Sequence, residues 1–237
     1  MDYLASRIKI ATIGCSFTNY IWPTYADILD AVNFGLPGIG NERIWAMIYY
    51  LYKNRKLQRF DYLIVQWSSP FRFDYRTSSG WTTGDGTISK HKMNNRPIWR
   101  AISNWYNEDY EIEKSENYIK SIKDLCKDIN LPNFHMSMSK EIGHCVDLPD
   151  IMNTYKEKYV IKRAEWTSKP FEDTHPTITS HIEIAKHIGN IIGVTPDPIM
   201  LQKCMHFHDL ILTEIPFEKI KKYYKSHFPD RYVAAGF

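Results

Sequence analysis

The sequence predicts an α/β fold, a three-layer α/β/α sandwich built on a mostly parallel sheet of about five strands. Three observations carry this. Short apolar runs alternate with segments of helical period along the first two-thirds of the chain. The clearest run, Asp61-Tyr62-Leu63-Ile64-Val65-Gln66-Trp67, is apolar almost throughout, as in a strand covered on both faces. Glycines follow the first two strand-like runs closely, where a parallel sheet must turn into its next helix.

The elements follow in order. Residues 8–13 read as a short buried strand. Residues 23–31 read as a helix with Tyr25, Ile28 and Leu29 on one face and Pro23 suited to its first turn. Residues 31–34 form a second strand, ending at Gly35. Residues 41–52 form a helix, because Ile44, Met47, Ile48 and Leu51 recur at helical spacing. The strand at 61–67 follows. Residues 68–110 then break the pattern: Ser, Thr, Gly, Asn, Trp and Arg dominate without a sustained period, which predicts a long insertion. A helix is expected over 115–129, a fourth strand over 133–138, a short fifth over 159–161 and an amphipathic helix over 177–192. Pro196 and Pro198 interrupt, and a helical tail runs to about Phe228. The division is thus a domain of residues 1–195, flavodoxin-like in its sheet, and a helical extension of residues 196–237.

At 237 residues, 43% hydrophobic and 24% charged, the chain can bury a sizeable core. A net charge of +3 is too small to predict a nucleic-acid partner. The four cysteines (Cys15, Cys126, Cys145, Cys204) form no Cys-x-x-Cys pair, which suits a reduced, cytoplasmic protein. No apolar run approaches the roughly 18–20 residues of a membrane span. A strand beginning near residue 7 leaves no room for a signal peptide. These features predict a soluble protein without a membrane partner.

Four segments fall where an open parallel sheet places its ligands, at the carboxyl ends of the strands. The first is Gly14-Cys15-Ser16-Phe17-Thr18, a serine at the bend from a strand into a helix-like segment. The second, Asn33-Phe34-Gly35-Leu36-Pro37-Gly38-Ile39-Gly40-Asn41, has three glycines that let backbone amides approach a ligand. The third is Gln66-Trp67-Ser68-Ser69-Pro70. The fourth, Asp173-Thr174-His175-Pro176, offers a carboxylate and a histidine two residues apart.

Together they resemble the SGNH/GDSL hydrolase superfamily, whose blocks run in this order: a Gly-x-Ser turn, a glycine after the second strand, a Gly-x-Asn-Asp-like block after the third, and Asp-x-x-His or Asp-x-His near the end. The resemblance spans about residues 7–192 and leaves the 68–110 insertion and the tail uncovered. It implies Ser16 as nucleophile, His175 as its base and Asp173 as the group that orients the imidazole. It implies an acyl-enzyme, with the oxyanion met by the Ser16 and Gly38 amides and Gly40 as the alternative if the loop is shifted. It implies no metal and no organic cofactor. Two positions depart from the pattern: Ser69 stands where the family has asparagine, with Ser68 or Arg72 as other donors, and Cys15 replaces the residue before the serine.

The expected activity is that of a serine esterase or deacetylase cleaving a small ester, with an O-acetyl group on a carbohydrate as the substrate guess. The alternative is a catalytically weak or inactive binding or assembly module on the same fold, with the extension as the surface through which an oligomer would form. Cys15 is a rival nucleophile, because thiolates near helix N-termini are activated. Asn41 and Arg72 are candidate substrate contacts, against readings as a cap residue and a solvated arginine. Trp81, Trp99 and Trp105 are either a carbohydrate-stacking wall or a satellite core. Cys204, His206 and His208 have zinc-ligand chemistry but no second paired cluster, so no metal site is expected. Lys219, Lys221, Lys222 and Lys225 read as a solvated helix face.

Overall fold

In chain order the strands are β1 (Ile10–Gly14), β2 (Val32–Asn33), β3 (Tyr62–Trp67), β4 (Arg72–Thr77), β5 (Gly80–Thr87), β6 (Asn133–Ser137), β7 (Val160–Ile161) and β8 (Phe171–Glu172). The α-helices are α1 (Tyr25–Ile28), α2 (Asn41–Lys53), α3 (Glu108–Asp128), α4 (Ile151–Thr154), α5 (Ile178–Ile192), α6 (Pro198–Leu212) and α7 (Phe217–His227). This computed structural model describes residues 8–77, 80–87, 106–161, 169–213 and 215–228.

Four strands form one parallel sheet in the order β2-β1-β3-β6. β1 runs beside β3 from Ile10↔Tyr62 to Gly14↔Gln66, and β3 beside β6 from Leu63↔Asn133 to Trp67↔Ser137. Every residue of β1 is buried, and all of β3 beyond Tyr62, so the central strands are covered on both faces. α2 packs against α3, and α1 against α5. α5 buries Ile178, Ile182, Ala185, Ile188 and Ile192, the apolar face its period predicts.

The sheet has four strands where about five were expected. β7 pairs antiparallel with β8 in a separate small ladder. The run is two residues long, follows Lys156-Glu157-Lys158, and leaves Val160 61% exposed, so it cannot serve as a strand buried on both faces. The outer edge of β6 is met instead by the 147–148 segment, with Leu148 bridging in parallel to Met136 and Ser137 donating to the Leu148 carbonyl. The first expected helix is also shorter. α1 spans four residues, its Asp27 carboxylate accepting the Thr24 N–H at 2.8 Å, and Asp30 turns left-handed at φ 57° to end it.

The insertion over 68–110 contains an ordered hairpin, β4–β5, with a register shift between Arg72 and Asp74. Its residues carry no apolar alternation, and a polar contact anchors it. Asp74 accepts the Gly40 N–H at 2.9 Å and the Arg43 N–H at 2.9 Å, capping α2 from another element. α3 starts at Glu108, earlier than its apolar period, because Asn107 caps the Tyr110 amide and Glu108, Asp109 and Glu111 suit the positive helix end.

The C-terminal helices share the core. Cys204, Phe207, Ile211, Ile220 and Phe228 belong to the same buried cluster as the sheet. The Tyr224 hydroxyl donates to Asp27 at 3.0 Å, and the Tyr159 hydroxyl meets His208 Nδ1 at 2.7 Å. All four cysteines are free. Among the described residues no helix is long and apolar enough to cross a membrane.

Candidate active site

β1 delivers the chain to the sheet's carboxyl edge and turns it sharply, with the Thr18 and Asn19 amides both donating to the Cys15 carbonyl. The turn runs through irregular backbone, and the next helix in the chain begins only at Tyr25, so Ser16 does not stand at the start of the helix that follows it. Gly14 is required here: a Cβ would lie 2.3 Å from Thr18 Oγ1 and 2.8 Å from the Gln66 carbonyl oxygen. Cys15 points into the core, fully buried, with its thiol donating to Gln66 Oε1 at 3.0 Å. Ser16 meets His175 instead.

His175 Nε2 lies 2.8 Å from Ser16 Oγ, and His175 Nδ1 lies 2.6 Å from Asp173 Oδ1. An ionised carboxylate only accepts, so the network assigns the ring proton to Nδ1 and leaves Nε2 to accept from the serine. The His175 amide donates to the same Asp173 oxygen at 2.9 Å, and the Tyr20 hydroxyl donates to Asp173 Oδ2 at 2.6 Å. Burial alone would raise the Asp173 carboxyl. The hydrogen bond and charge of His175, with the Tyr20 bond, outweigh it and hold the group below the usual carboxylate range. The structure therefore brings Ser16, His175 and Asp173 together across 159 residues of sequence.

Tyr20 was not singled out from the sequence. Its ring stacks on the imidazole at 3.6 Å between centroids and 20° between planes. Trp22 packs edge-on against Tyr20 at 4.5 Å and donates its indole N–H to the Pro176 carbonyl at 3.1 Å. Nothing in the motif points to a tyrosine here; only its short distance from Ser16 along the chain was available as a signal.

The loop carrying Gly38 is stitched to the serine turn. Asn33 donates to the Thr18 carbonyl at 2.7 Å and accepts the Gly35 amide, while Leu36 N–H donates to the Gly14 carbonyl. Gly38 adopts φ 83°, which favours glycine, and nothing stands within 4 Å of where its Cβ would be. α2 begins directly after, at Asn41. Asn41 itself is buried and committed: Nδ2 donates to the Ser68 carbonyl and Ser115 Oγ, and Oδ1 accepts the Ser68 amide at 2.7 Å. It ties α2 to the end of β3 and to α3.

At the third block, Ser68 is fully buried with its hydroxyl 3.5 Å from Met138 Sδ. Ser69 is half-buried. Its Oγ accepts the Phe71 amide at 3.3 Å, which leaves the hydroxyl hydrogen for a ligand. Arg72 opens β4, half-buried, and reaches the Ile39 carbonyl with Nη1 at 3.4 Å, so it braces the Gly38 loop from outside.

The remaining candidates lie apart. Cys204, His206 and His208 sit on α6, where helical spacing turns His206 away from the other two: Cys204 is in the core, His208 is taken by Tyr159 and His206 is exposed. A different group, Glu116, His144 and Cys145, brings three potential ligand atoms within 4.8 Å of one another on α3 and the following 3-10 turn. The four α7 lysines are exposed. Trp81 lines a cleft of about 420 Å³ with Trp45, Tyr49 and Lys53; Trp99 and Trp105 lie outside the described residues. The chain matches no family model and no curated protein.

Proposed function

We propose that this chain is a serine hydrolase of SGNH type, an esterase or deacetylase working through an acyl-enzyme on a three-layer, flavodoxin-like sandwich. One observation carries the reading: Ser16 Oγ, the His175 ring and Asp173 form a continuous hydrogen-bonded line of 2.8 and 2.6 Å. In this reading His175 Nε2 takes the proton of Ser16 as Oγ attacks the ester carbonyl, then returns it to the leaving alcohol. Asp173 holds Nδ1–H and stabilises the imidazolium that forms. Water, activated by the same nitrogen, releases the acid. The Ser16 and Gly38 amides and the Ser69 hydroxyl are the donors for the oxyanion.

An O-acetyl group on a carbohydrate is the substrate class we favour. The cleft lined by Trp45, Tyr49 and Trp81 runs along α2 from Glu42 to Lys53, and aromatic faces of this kind suit sugar rings. The second reading, a binding or assembly module of weak activity, is favoured by one feature: serine at position 69 in place of a carboxamide. Losing one oxyanion donor costs about a hundred- to a thousandfold in rate.

p-Nitrophenyl acetate turnover and labelling by a fluorophosphonate probe separate the two. The hydrolase is labelled at Ser16, and both Ser16→Ala and His175→Ala lose about a thousandfold or more in turnover. An unlabelled Ser16, or variants that turn over as the parent does, would sink the hydrolase reading.

A further inference from the structure

We infer that Tyr20 is a positioning residue of the proposed triad, fixing the plane of His175 and sharing the charge of Asp173. The inference rests on the hydrolase reading for its meaning but has a test of its own. Tyr20 makes two contacts of different chemistry with the acid–base pair at once. Its hydroxyl occupies Asp173 Oδ2 at 2.6 Å, while His175 takes Oδ1 twice, through its ring and its amide. Its ring lies face to face with the imidazole. A carboxylate with donors on both oxygens cannot rotate about its bond to Cβ without breaking one of them. An imidazole with one face covered cannot tilt toward that side.

The location of Tyr20 in the chain matters as much. It lies four residues beyond Ser16, in the loop that positions the nucleophile, so that loop also holds the base it needs. Trp22, two residues on, adds a second tie to the opposite segment at Pro176. Burial and the neighbouring Asp173 push the Tyr20 phenol far above its ordinary range, so it remains an O–H donor across the working pH.

The two contacts act in opposite directions on His175. The stacked face favours the imidazolium, as aromatic faces favour cations. The O–H bond draws negative charge toward Oδ2 and weakens the pull of Asp173 on the ring. Tyr20→Phe keeps the first and removes the second, so the His175 titration should move to higher pH. At the same time the loosened carboxylate should slow the proton transfer.

The test is a pH–rate profile with p-nitrophenyl acetate for the parent, Tyr20→Phe and Ser16→Ala. It is paired with NMR titration of the His175 ring and a melting curve for each. Expected for Tyr20→Phe are a kcat about threefold to tenfold lower, an unchanged KM, an acidic limb displaced upward in pH, and a matching displacement of the ring titration. A melting point that falls while limb and titration stay in place assigns Tyr20 a purely structural role and overturns the inference; so does a kcat within about twofold of the parent with an unmoved titration. If Ser16→Ala turns over like the parent, the hydrolase reading fails. The ring titration in Tyr20→Phe then decides alone whether Tyr20 tunes His175.

Discussion

The two halves of the candidate site are held by different means. Ser16, His175 and Asp173 are joined by side-chain bonds to one another, and Tyr20 closes the remaining carboxylate oxygen. Gly38 and Ser69 have no such mutual bonds. They are placed by the backbone around them, by the stitching of the Gly38 loop to the serine turn and by the hairpin that caps α2 through Asp74. A half built of side chains fails when one side chain is removed. A half built of backbone tolerates side-chain changes on the loop itself and fails when a distant support moves.

Gly40→Ala breaks the backbone-built half by displacing the hairpin that supports it, and has the largest expected effect on that half. The backbone at Gly40 is one that alanine adopts freely, at φ −94° and ψ −174°. The added methyl, however, would stand 2.7 Å from the Arg72 carbonyl oxygen and 2.8 Å from Asp74 Oδ2. The hairpin must retreat from α2, with a cost in stability of about 1–3 kcal/mol, read by urea denaturation, and a fall in turnover of about tenfold or more. Unchanged stability and rate would show that the hairpin does not hold the loop.

Ser69→Asn sharpens the same half. If residue 69 supplies the third oxyanion donor, the carboxamide should raise kcat on p-nitrophenyl acetate by up to about tenfold with little change in KM. A drop in kcat would place the side chain of residue 69 away from the oxyanion.

A separate effect, on stability rather than turnover, contrasts His175, which meets the serine, with two histidines sealed in the core. Burial holds His181 down to about 3, helped by the charges of His175 and Lys158, and holds His135 down to about 3, helped by Lys123. Among the described residues neither His181 ring nitrogen has a hydrogen-bond partner. The unfolded chain takes up these protons near pH 6.5 and the folded chain does not. The associated stability is complete above about pH 6.5 and is lost as pH falls from there toward 3, by about 2 kcal/mol per histidine at pH 5. Urea midpoints at pH 7.5 and 5 measure this. His181→Gln should lessen the drop between them; a drop of the same size would assign it to other groups.

Much of this was legible in the sequence, for reasons that differ by segment. β1 and β3 are apolar runs with both faces covered, and α2 and α5 repeat their apolar residues at helical spacing, so pattern alone locates them. Ser16, Asp173 and His175 stand out because strand ends and a two-residue spacing are local features. The β4–β5 hairpin was read as featureless because its anchor is one carboxylate on the end of another element. The two-residue β7 was read as a sheet strand because exposure on one face does not show in three residues. Asn41 was offered as a ligand, although its three bonds reach residues 27 and 74 positions away along the chain. Tyr20 could not be read at all, since its role exists only once the two ends of the chain meet.

The bond from Tyr224 to Asp27 bears on the order in which the molecule is made. Its partners are 197 residues apart in sequence and 3.0 Å apart in space. A contact of that span closes a very long loop, and loop closure of this kind comes late. A ribosome will have released everything from Asp27 to Tyr224 before the wall beside α1 can be sealed. Until then the buried faces of Trp22, Tyr25 and Phe207 have only part of their final company. The same holds for Ser16 and His175, so the chain would acquire its chemistry among the last things it acquires in folding.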